Sequence, residues 1–504
     1  MARYTFDLKN KAVVDDLRSP RVYNFNLAMN LALLSNDASV IRRFFRNGVA
    51  MYQKDTWLAD EIRNLFLSHY EPGQAFVYFG IIPMIVQGKV NLIASNGFEC
   101  KSDDKDLEKS LNKAKEIAEI EKQFVGGAYW ESGIGDFGYR VIADLSVSEY
   151  PILDLVEPQH LEVNYKHGRI KSFVVKELSE QDPSYELCEI HHKDKEGYAV
   201  IEYRFRKDGV FVPLNDEALI EECRSKFPRD LKLESIRLPI KGFTIIYKQN
   251  ECNNMLYKGE RGVPDIQGLL PIEDALTEVG SDLADAIRKG GIKQWVSDEL
   301  LPQDEEGNRQ PFDAFRKTVI TTKGSSTPGE SNKLIETTQA QINWEAYTRT
   351  IQQLMSIAIN KAGLAPTTLG LTGLESINSS AESQDAREKT SLRRREICLN
   401  GWEKTLKETL NLWLQVYDYM RGYEIVDYTD LINIQFNEYT NPSLENVTDV
   451  LVKQVSGGLK SRETAIKDLN DGWSDEQVQT EVDKIMADMQ GVFVEDKNVN
   501  VEGE

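Results

Sequence analysis

Cysteine is scarce in this chain, and what there is lies scattered. Its 504 residues include five, at Cys100, Cys188, Cys223, Cys252 and Cys398, and no CxxC pair occurs. An odd, sparse set in a long chain excludes a disulfide framework and implies reduced thiols. It also lacks the ligand spacing of structural zinc. Histidine is equally rare, at five residues: His69, His160, His167, His191 and His192. Only the last two adjoin, and neighbours on a strand face opposite sides, so no metal is expected there. Long apolar runs are missing as well. The most apolar stretch, Ala75 to Val86, contains Gly80 and Pro83. It is too short to span a bilayer, and a buried strand or turn is expected in its place. The start, Met1-Ala2-Arg3-Tyr4-Thr5-Phe6-Asp7, shows neither a charged-then-apolar leader nor a glycine at position 2. The expectation is a protein made and used in a cytosol, without a membrane.

Positive charge is in deficit. Lysine and arginine number 60 against 81 aspartates and glutamates, a formal net charge of −21. A protein that grips nucleic-acid phosphates is basic, so a conventional DNA-binding role is excluded. An acidic surface can simply keep a chain soluble, or it can repel phosphates and let a polyanion slide past. With 41% hydrophobic and 28% charged residues the composition is that of a globular protein, which excludes wholesale disorder. The length accommodates about two to four domains.

Pattern divides the chain. In Thr56 to Tyr70, Trp57, Leu58, Ile62, Leu65 and Phe66 fall near helical spacing. From about 75 to 250, short apolar or alternating runs predict antiparallel sheet, for example Arg140–Ala143, Phe173–Val175, Tyr198–Tyr203 and Phe243–Tyr247. Turns are marked by His167-Gly168 and Asp208-Gly209. From about 262 the pattern is helical. Ile272, Leu276, Val279, Leu283 and Ile287 form one apolar stripe, closed by Gly290-Gly291 as a C-cap. Residues 292–338 read as short strands at Ile292–Val296, Thr318–Thr322 and Leu334–Thr337. A second helix carries Tyr347, Ile351, Leu354, Met355, Ala358, Ile359 and Ala362 on one face, closed by Gly363 and Pro366.

After a loop, Ser379-Ser380-Ala381-Glu382 fits a capping box. It opens a helix expected from about 380 to 421, roughly 60 Å long. Leu399, Trp402, Leu406, Leu410, Trp413, Tyr417 and Met420 form its stripe, and Gly422 ends it. So long a helix exceeds what one compact domain needs. Its tryptophans Trp402 and Trp413, with Leu406, are expected to anchor contacts between subunits or, alternatively, only within their own. Asn441-Pro442, Ser461 and Ser474 with Gln477 mark further helix starts. From about 492 the tail has no periodicity, and disorder is expected.

No catalytic motif survives inspection. Gly133-Ile134-Gly135-Asp136-Phe137-Gly138 matches GxGxxG, but a dinucleotide site needs a strand before the glycines and a helix after them. Here a strand-like run follows, which favours a plain turn. The embedded Asp136-Phe137-Gly138 has no His-Arg-Asp partner. Gly324 to Ser331 nearly matches a phosphate-binding loop, yet Glu330 stands where a lysine must meet the phosphates. No GxSxG elbow occurs. Neither catalytic, cofactor-binding nor metal residues are assigned.

The order of elements is distinctive: mixed α+β, helix, small β insert, helix, loop, very long helix, strand, helical end. Local stretches add to it: Ile82–Val86 through Ala94–Phe98, Gly126–Trp130, Pro151–His160, His167–Ile170, Gly262–Ile266 through Ala286, Asn378–Glu382, Ser461–Ile466 and Trp473–Ile485. Over residues 60–490 this arrangement resembles the portal proteins of tailed double-stranded DNA bacteriophages. Ser380 stands where the family often has glycine, which bears on the loop's shape. The resemblance implies an α+β, multi-domain subunit with a mixed α/β wing, helical stem, small β-containing clip, long wing helix and helical crown. The corresponding spans are wing 1–261, stem helix 262–291, clip 292–338, second stem helix 339–366, tunnel loop 367–378, long helix and wing return 379–441, crown 442–491 and tail 492–504.

The resemblance further implies a non-enzymatic ring, usually of twelve subunits, at one capsid vertex. Double-stranded DNA passes through it during packaging and ejection. The implied partners are the terminase large subunit, a head–tail adaptor, and the major capsid and scaffolding proteins, with no cofactor. Thr367, Leu369, Gly370, Thr372, Gly373, Glu375 and Asn378 are the expected DNA-facing loop residues. This loop has glycines, apolar side chains without an obvious core, one acid and no lysine or arginine. Trp295, Gly307, Arg309, Phe312 and Lys323 are expected at the clip docking surface, whose strands should pair between subunits because a small β insert has little core of its own. The competing readings are another virion or tail ring subunit, and a nucleotide-dependent enzyme built on Gly133–Gly138.

Overall fold

The computed structural model describes residues 20–51, 65–69, 74–227, 233, 235–250, 260–290, 293–297, 319–322, 335–338, 341–371, 381–437, 451–455, 460–469 and 478–485. Two compact units are separated at Asn437 and Glu438.

The first unit opens with helices α1 (Pro20–Leu34) and α2 (Ala38–Met51), which bury Phe25, Leu33, Ile41 and Phe45. After a single helical turn, Phe66–His69, comes α3 (Ile81–Ala94). The sequence pattern predicted a strand or turn here. The structure corrects this to irregular chain over 75–80 followed by a helix. Pro83 falls within the first helical turn, where its missing N–H forfeits no helical bond. Strand β1 (Phe98–Lys101) and helices α4 (Lys105–Ile117) and α5 (Ile120–Gly133) follow. The region predicted as sheet thus begins with three helices. Helices α3 and α5 are buried over much of their length, so their apolar residues do not form the one-sided stripe of a surface helix, whereas α4 buries only the stripe Leu107, Leu111 and Ala114.

Strands β2 (Asp136–Ile142), β3 (Ile152–Val156), β4 (Leu161–Lys166), β5 (Arg169–Leu178), β6 (Tyr185–Lys193), β7 (Tyr198–Lys207) and β8 (Val210–Phe211) come next. Helix α6 (Glu217–Arg224) and strands β9 (Ser235–Lys241) and β10 (Ile245–Gln249) complete the region. One antiparallel sheet runs β4-β5-β6-β7-β8, with β9 also on β7; a second runs β10-β2-β3. Two hairpin turns lie where the sequence placed them. His167 and Gly168 have φ of 54° and 72°, and Asp208 and Gly209 have 51° and 77°. Positive φ at both central residues matches the twist of the flanking strands. Tyr185, Leu187, Phe205, Val212, Cys223 and Phe227 pack α6 on the larger sheet. Val156, Leu161, Phe173, Val175 and Ile245 join the two sheets.

Helix α7 (Leu270–Lys289) leads to a β insert of β11 (Lys293–Ser297), β12 (Val319–Thr322) and β13 (Ile335–Thr338), and α8 (Trp344–Lys361) returns from it. Within one chain, β11 pairs in parallel with β12 and antiparallel with β13. The glycine closing α7 also differs from a left-handed cap, since Gly290 has φ −81°.

Helix α9 (Ala381–Arg421) spans 41 residues and matches its predicted limits. Gly422, at φ 71°, closes it in the left-handed conformation, and Tyr423 N–H reaches back to Asp418 O at 2.8 Å. The chain then returns as β14 (Asn433–Phe436), pairing antiparallel with β1. Trp402 is fully buried against the rings of Phe124, Phe137 and Tyr139, at centroid distances of 4.6, 5.7 and 6.5 Å. Gly127 admits this cluster, because a Cβ there would meet Tyr139 Oη at 2.4 Å. Trp413 is also buried and donates to Pro151 O at 2.9 Å. Of the two expectations for Trp402, Leu406 and Trp413, the structure favours the second: all three are core residues of their own subunit.

The second unit contains α10 (Arg462–Leu469) and helical stretches at 451–455 and 478–485. Ser461 caps α10 as expected, its Oγ accepting from Thr464 N at 3.1 Å. Asn441-Pro442, the Ser474 capping box and the tail lie outside the described residues.

Truncating Trp402 to alanine should cost about 3–5 kcal/mol, through the cavity and the lost contacts. Urea unfolding followed by tryptophan fluorescence measures this. An unchanged midpoint would mean that α9 does not organise the core.

Candidate functional site

The α7–α8 hairpin leaves the body along Gly262–Leu269, and two backbones touch where it does so. Asn250 N donates to Gly135 O at 2.8 Å and Asp265 N to Ser132 O at 2.9 Å. A Cβ on Gly262 would lie 1.8 Å from Gly135 O, and Gly135 itself has φ 109°. The GxGxxG-like cluster is thus a chain crossing. Helix α5 precedes it and β2 follows, the reverse of a dinucleotide site.

Charged ties lock the crossing. Asp265 accepts from Lys89 of α3, from Arg394 Nη2 of α9 at 3.0 Å and from Asn250 Nδ2 at 3.2 Å. The side chains of Lys89 and Asp265 are each 3% exposed. Burial alone would raise the Asp265 pKa, but the cations of Lys89 and Arg394 outweigh it and hold the carboxyl below its ordinary range. Burial would likewise lower Lys89, yet Asp265 and Glu131 keep its ammonium above the usual value. Glu131 joins Lys248 at 2.8 Å and accepts from Trp402 Nε1 at 2.6 Å. Asp136 accepts from Tyr247 Oη at 2.7 Å and from Arg261 Nη1 at 3.3 Å. Removing one partner of such a buried pair costs about 3–5 kcal/mol, because the other charge is left uncompensated.

Helix α7 overturns the expected stripe. Its buried residues are Glu273, Asp274, Leu276, Thr277 and Ser281, whereas Ile287 is exposed. Glu273, Asp274, Ser281 and the half-buried Asp285 each meet a backbone donor that has no strand or helix partner of its own. Glu273 accepts from Gly80 N and Ile82 N, at 2.8 and 3.0 Å, at the start of α3. Asp274 accepts from Phe66 N and Leu67 N, at 3.0 and 2.9 Å. Ser281 and Asp285 take Val77 N and Ala75 N, at 3.0 and 3.1 Å. Acidic and hydroxyl residues at helical spacing were the signal in the sequence, hidden beneath the apolar one.

At the other foot of the hairpin, Lys361 Nζ donates to Gly268 O at 2.7 Å. Thr367 and Leu369 then lie in a short 3-10 helix, Pro366–Leu369, and Gly370 follows at φ 72°. Leu369 was expected to have no core to enter. The structure corrects this by packing it against Gly88 of α3, where a Cβ would lie 2.0 Å from Leu369 Cδ2. Ser391 of α9 accepts from Ala365 N at 2.8 Å and bonds Thr368 Oγ1 at 2.8 Å. Thr372, Gly373, Glu375 and Asn378 lie outside the described residues. So do Gly307, Arg309, Phe312 and Lys323 of the insert. Trp295 sits in its central strand, in register with Ile320 on one side and Glu336 on the other.

Among the described residues, no group of three or more His, Cys, Asp or Glu is placed to hold a metal ion. His191 is buried, with Nδ1 2.6 Å from Thr244 Oγ1. His192 points to the other face, 3.8 Å from Glu202. Cys100, Cys188, Cys223 and Cys398 are buried free thiols, and Cys252 lies outside the described residues. No described helix is long and apolar enough to cross a membrane.

Comparison with known proteins gives one family. The family model described as "Phage portal protein, SPP1 Gp6-like" matches residues 189–491. No curated protein matches. Among solved structures, a chain in the virion of a native gene transfer agent particle is 10% identical, with a TM-score of 0.39, covering 79% of this chain and 96% of its own. A chain in the neck of a native gene transfer agent particle, computed with C12 symmetry, is also 10% identical with a TM-score of 0.39. That match covers 77% of this chain and 89% of the other.

The carboxyl of Glu273 predicts a pH dependence. Burial raises its pKa above the ordinary 4.5, against the pull of its backbone donors. A raised folded pKa means a stability contribution that is full below the unfolded value and is lost as pH rises through the folded one. Glu273→Gln should therefore flatten the pH profile of thermal stability from about pH 4.5 upward, relative to the unmodified protein. Superimposable profiles would place the carboxylate in a solvated setting.

Proposed function

The chain belongs to the phage portal protein family, SPP1 Gp6-like, and from that premise we propose that it forms a ring at one capsid vertex. Double-stranded DNA passes through this ring during packaging and ejection. The family is one of structural proteins, not enzymes. The observation that carries the reading is the family match over residues 189–491, which takes in the helical hairpin, its β insert, the following loop and the long helix.

In this reading α7 and α8 are the stem, residues 292–338 the clip, 367–378 the tunnel loop and 442–491 the crown. The ring has about twelve copies. Exposed Ile287, Trp344 and Ile357 on the stem helices face the neighbouring subunit. Thr367, Leu369, Gly370, Thr372, Gly373, Glu375 and Asn378 border the DNA path, with Leu369 as the hinge of the loop on α3. Trp295, Gly307, Arg309, Phe312 and Lys323 belong to the surface that receives the terminase large subunit and later the head–tail adaptor. Major capsid and scaffolding proteins meet the outside.

The clip strands also suggest how rings close. Strand β11 is central, so β12 and β13 are the two edges of the insert among the described strands. They run in opposite directions, so β12 of one copy can meet β13 of the next as an antiparallel pair. Such head-to-tail pairing repeats around a closed ring and leaves no open edge.

Two experiments test this. Negative-stain images of purified protein should show rings with a central hole, and compact monomers would refute the reading. Deleting residues 292–338 should abolish ring cohesion while circular dichroism of the body persists. A deletion variant that still forms stable rings would show that the insert does not close them.

A further inference from the structure

We propose, resting on the portal reading, that Asp282 on α7 of one copy pairs with Arg349 on α8 of the next, and that this ion pair sets the register of the hairpins around the ring. Helices α7 and α8 pack side by side. Two contacts fix their relative height. At the insert end a Cβ on Gly290 would lie 2.8 Å from Ile342 Cδ1. At the body end Lys361 Nζ donates to Gly268 O at 2.7 Å. The helices are therefore antiparallel. Counted from Gly290 and Ile342 at about 1.5 Å per residue, Asp282 stands about 12 Å along α7 and Arg349 about 11 Å along α8. A rotation about a ring axis moves no atom along that axis. With the hairpin upright in the ring, α7 of one copy meets α8 of the next at equal heights, and these two residues come level across the junction.

Both are exposed, and among the described residues neither makes an ion pair within its own chain. They share a height within one hairpin too, yet do not meet there. Neither face carries charge of one sign. Glu278, Asp282 and Lys289 are spaced by four and seven on α7, and Glu345, Arg349 and Gln353 by four on α8, so each set lies on one helix face. All six are exposed. Arg288 lies to one side of the α7 face, and Lys361 is engaged at the foot of α8. What matches is the order. From insert to body α7 presents cation, acid, acid, and α8 presents acid, cation, amide. Lys289 falls level with Glu345, at about 2 and 5 Å, and Glu278 with Gln353, at about 18 and 17 Å. Lys289 is held only loosely at home, 4.0 Å from Asp285. A slip of one turn would set Asp282 against Glu345 or against Gln353. Exposed pairs of this kind add little affinity, but they discriminate between registers, because like charges brought level repel.

The test follows ring formation by the full-length protein at low salt, by mass photometry and negative stain. Asp282→Arg and Arg349→Asp each bring like charges level at every junction, and each alone should need ~10-fold more protein than the unmodified chain to form rings. Mixed in equal amounts, the two variants should assemble as readily as the unmodified protein. In an alternating ring every junction joins opposite charges, reversed at one and original at the next. A pairing inside one chain would not be restored by mixing. Rings formed equally well by either single variant, or a mixture no better than its components, would overturn the pairing. Should either reversal fail to fold by circular dichroism, the neutral variants Asp282→Asn and Arg349→Gln decide. Each should weaken assembly several-fold and reduce its sensitivity to salt, and unchanged assembly would overturn the pairing. The unmodified protein separates the two failures. Rings with a hole but no restoration on mixing remove the pairing alone. Compact monomers remove the portal reading and the pairing with it.

Discussion

The Asp265 carboxylate, buried between the Lys89 ammonium and the Arg394 guanidinium, is the contact on which the rest of the architecture depends. It lies where the chain leaves the body to build the α7–α8 hairpin. Its partners come from α3 and α9, elements 176 and 129 residues away in sequence. A buried ion pair contributes little net stability compared with apolar packing, since two desolvation costs offset the attraction. What it supplies is geometric. A carboxylate with two cationic partners and an amide donor tolerates few placements, so the hairpin departs at one position and one angle. The glycine crossing at Gly135 and Gly262 serves the same end, because any side chain there would push the two strands of chain apart.

Polar chemistry recurs along the hairpin. The buried side of α7 is a row of acceptors for backbone donors in residues 66–82, and its apolar residues are left partly to the outside. The inner contacts of α7 are specified by hydrogen bonds, and the apolar Ile287 is left exposed. Helix α9 is built on the opposite plan. Its tryptophans and leucines are fully used within the subunit, and its charges do the outward work. The turn around Ser391, Arg394 and Arg395 joins the two plans, since it holds the loop, the hairpin's foot, the end of α3 and the chain after β14.

Much of this was legible from residue patterns. The limits of α9 followed from an apolar stripe sustained over many turns and a glycine free to take positive φ. The two-residue hairpins followed from His-Gly and Asp-Gly. The three strands of the insert stood out as β-branched runs between turn residues. Less was legible at the candidate site. Leu369 looked homeless because its partner is a glycine on a helix nearly three hundred residues earlier, and glycine carries no signal of what it accommodates. Trp402 looked like an interface anchor because burial within a subunit and burial between subunits leave the same mark on a sequence.

The sequence by itself determined the α+β class, the order of helix, β insert, helix, loop and long helix, and the local turns. Each of these depends on periodicity or on a backbone preference confined to a few residues. Only the tertiary structure decided which face of α7 is buried, that Ala75–Val86 ends in a helix, that β1 pairs with β14, and that Asp265 meets Lys89 and Arg394. Those outcomes depend on donors, acceptors and volumes brought from distant parts of the chain. A carboxylate in a sequence does not reveal whether its partner is water or a buried cation.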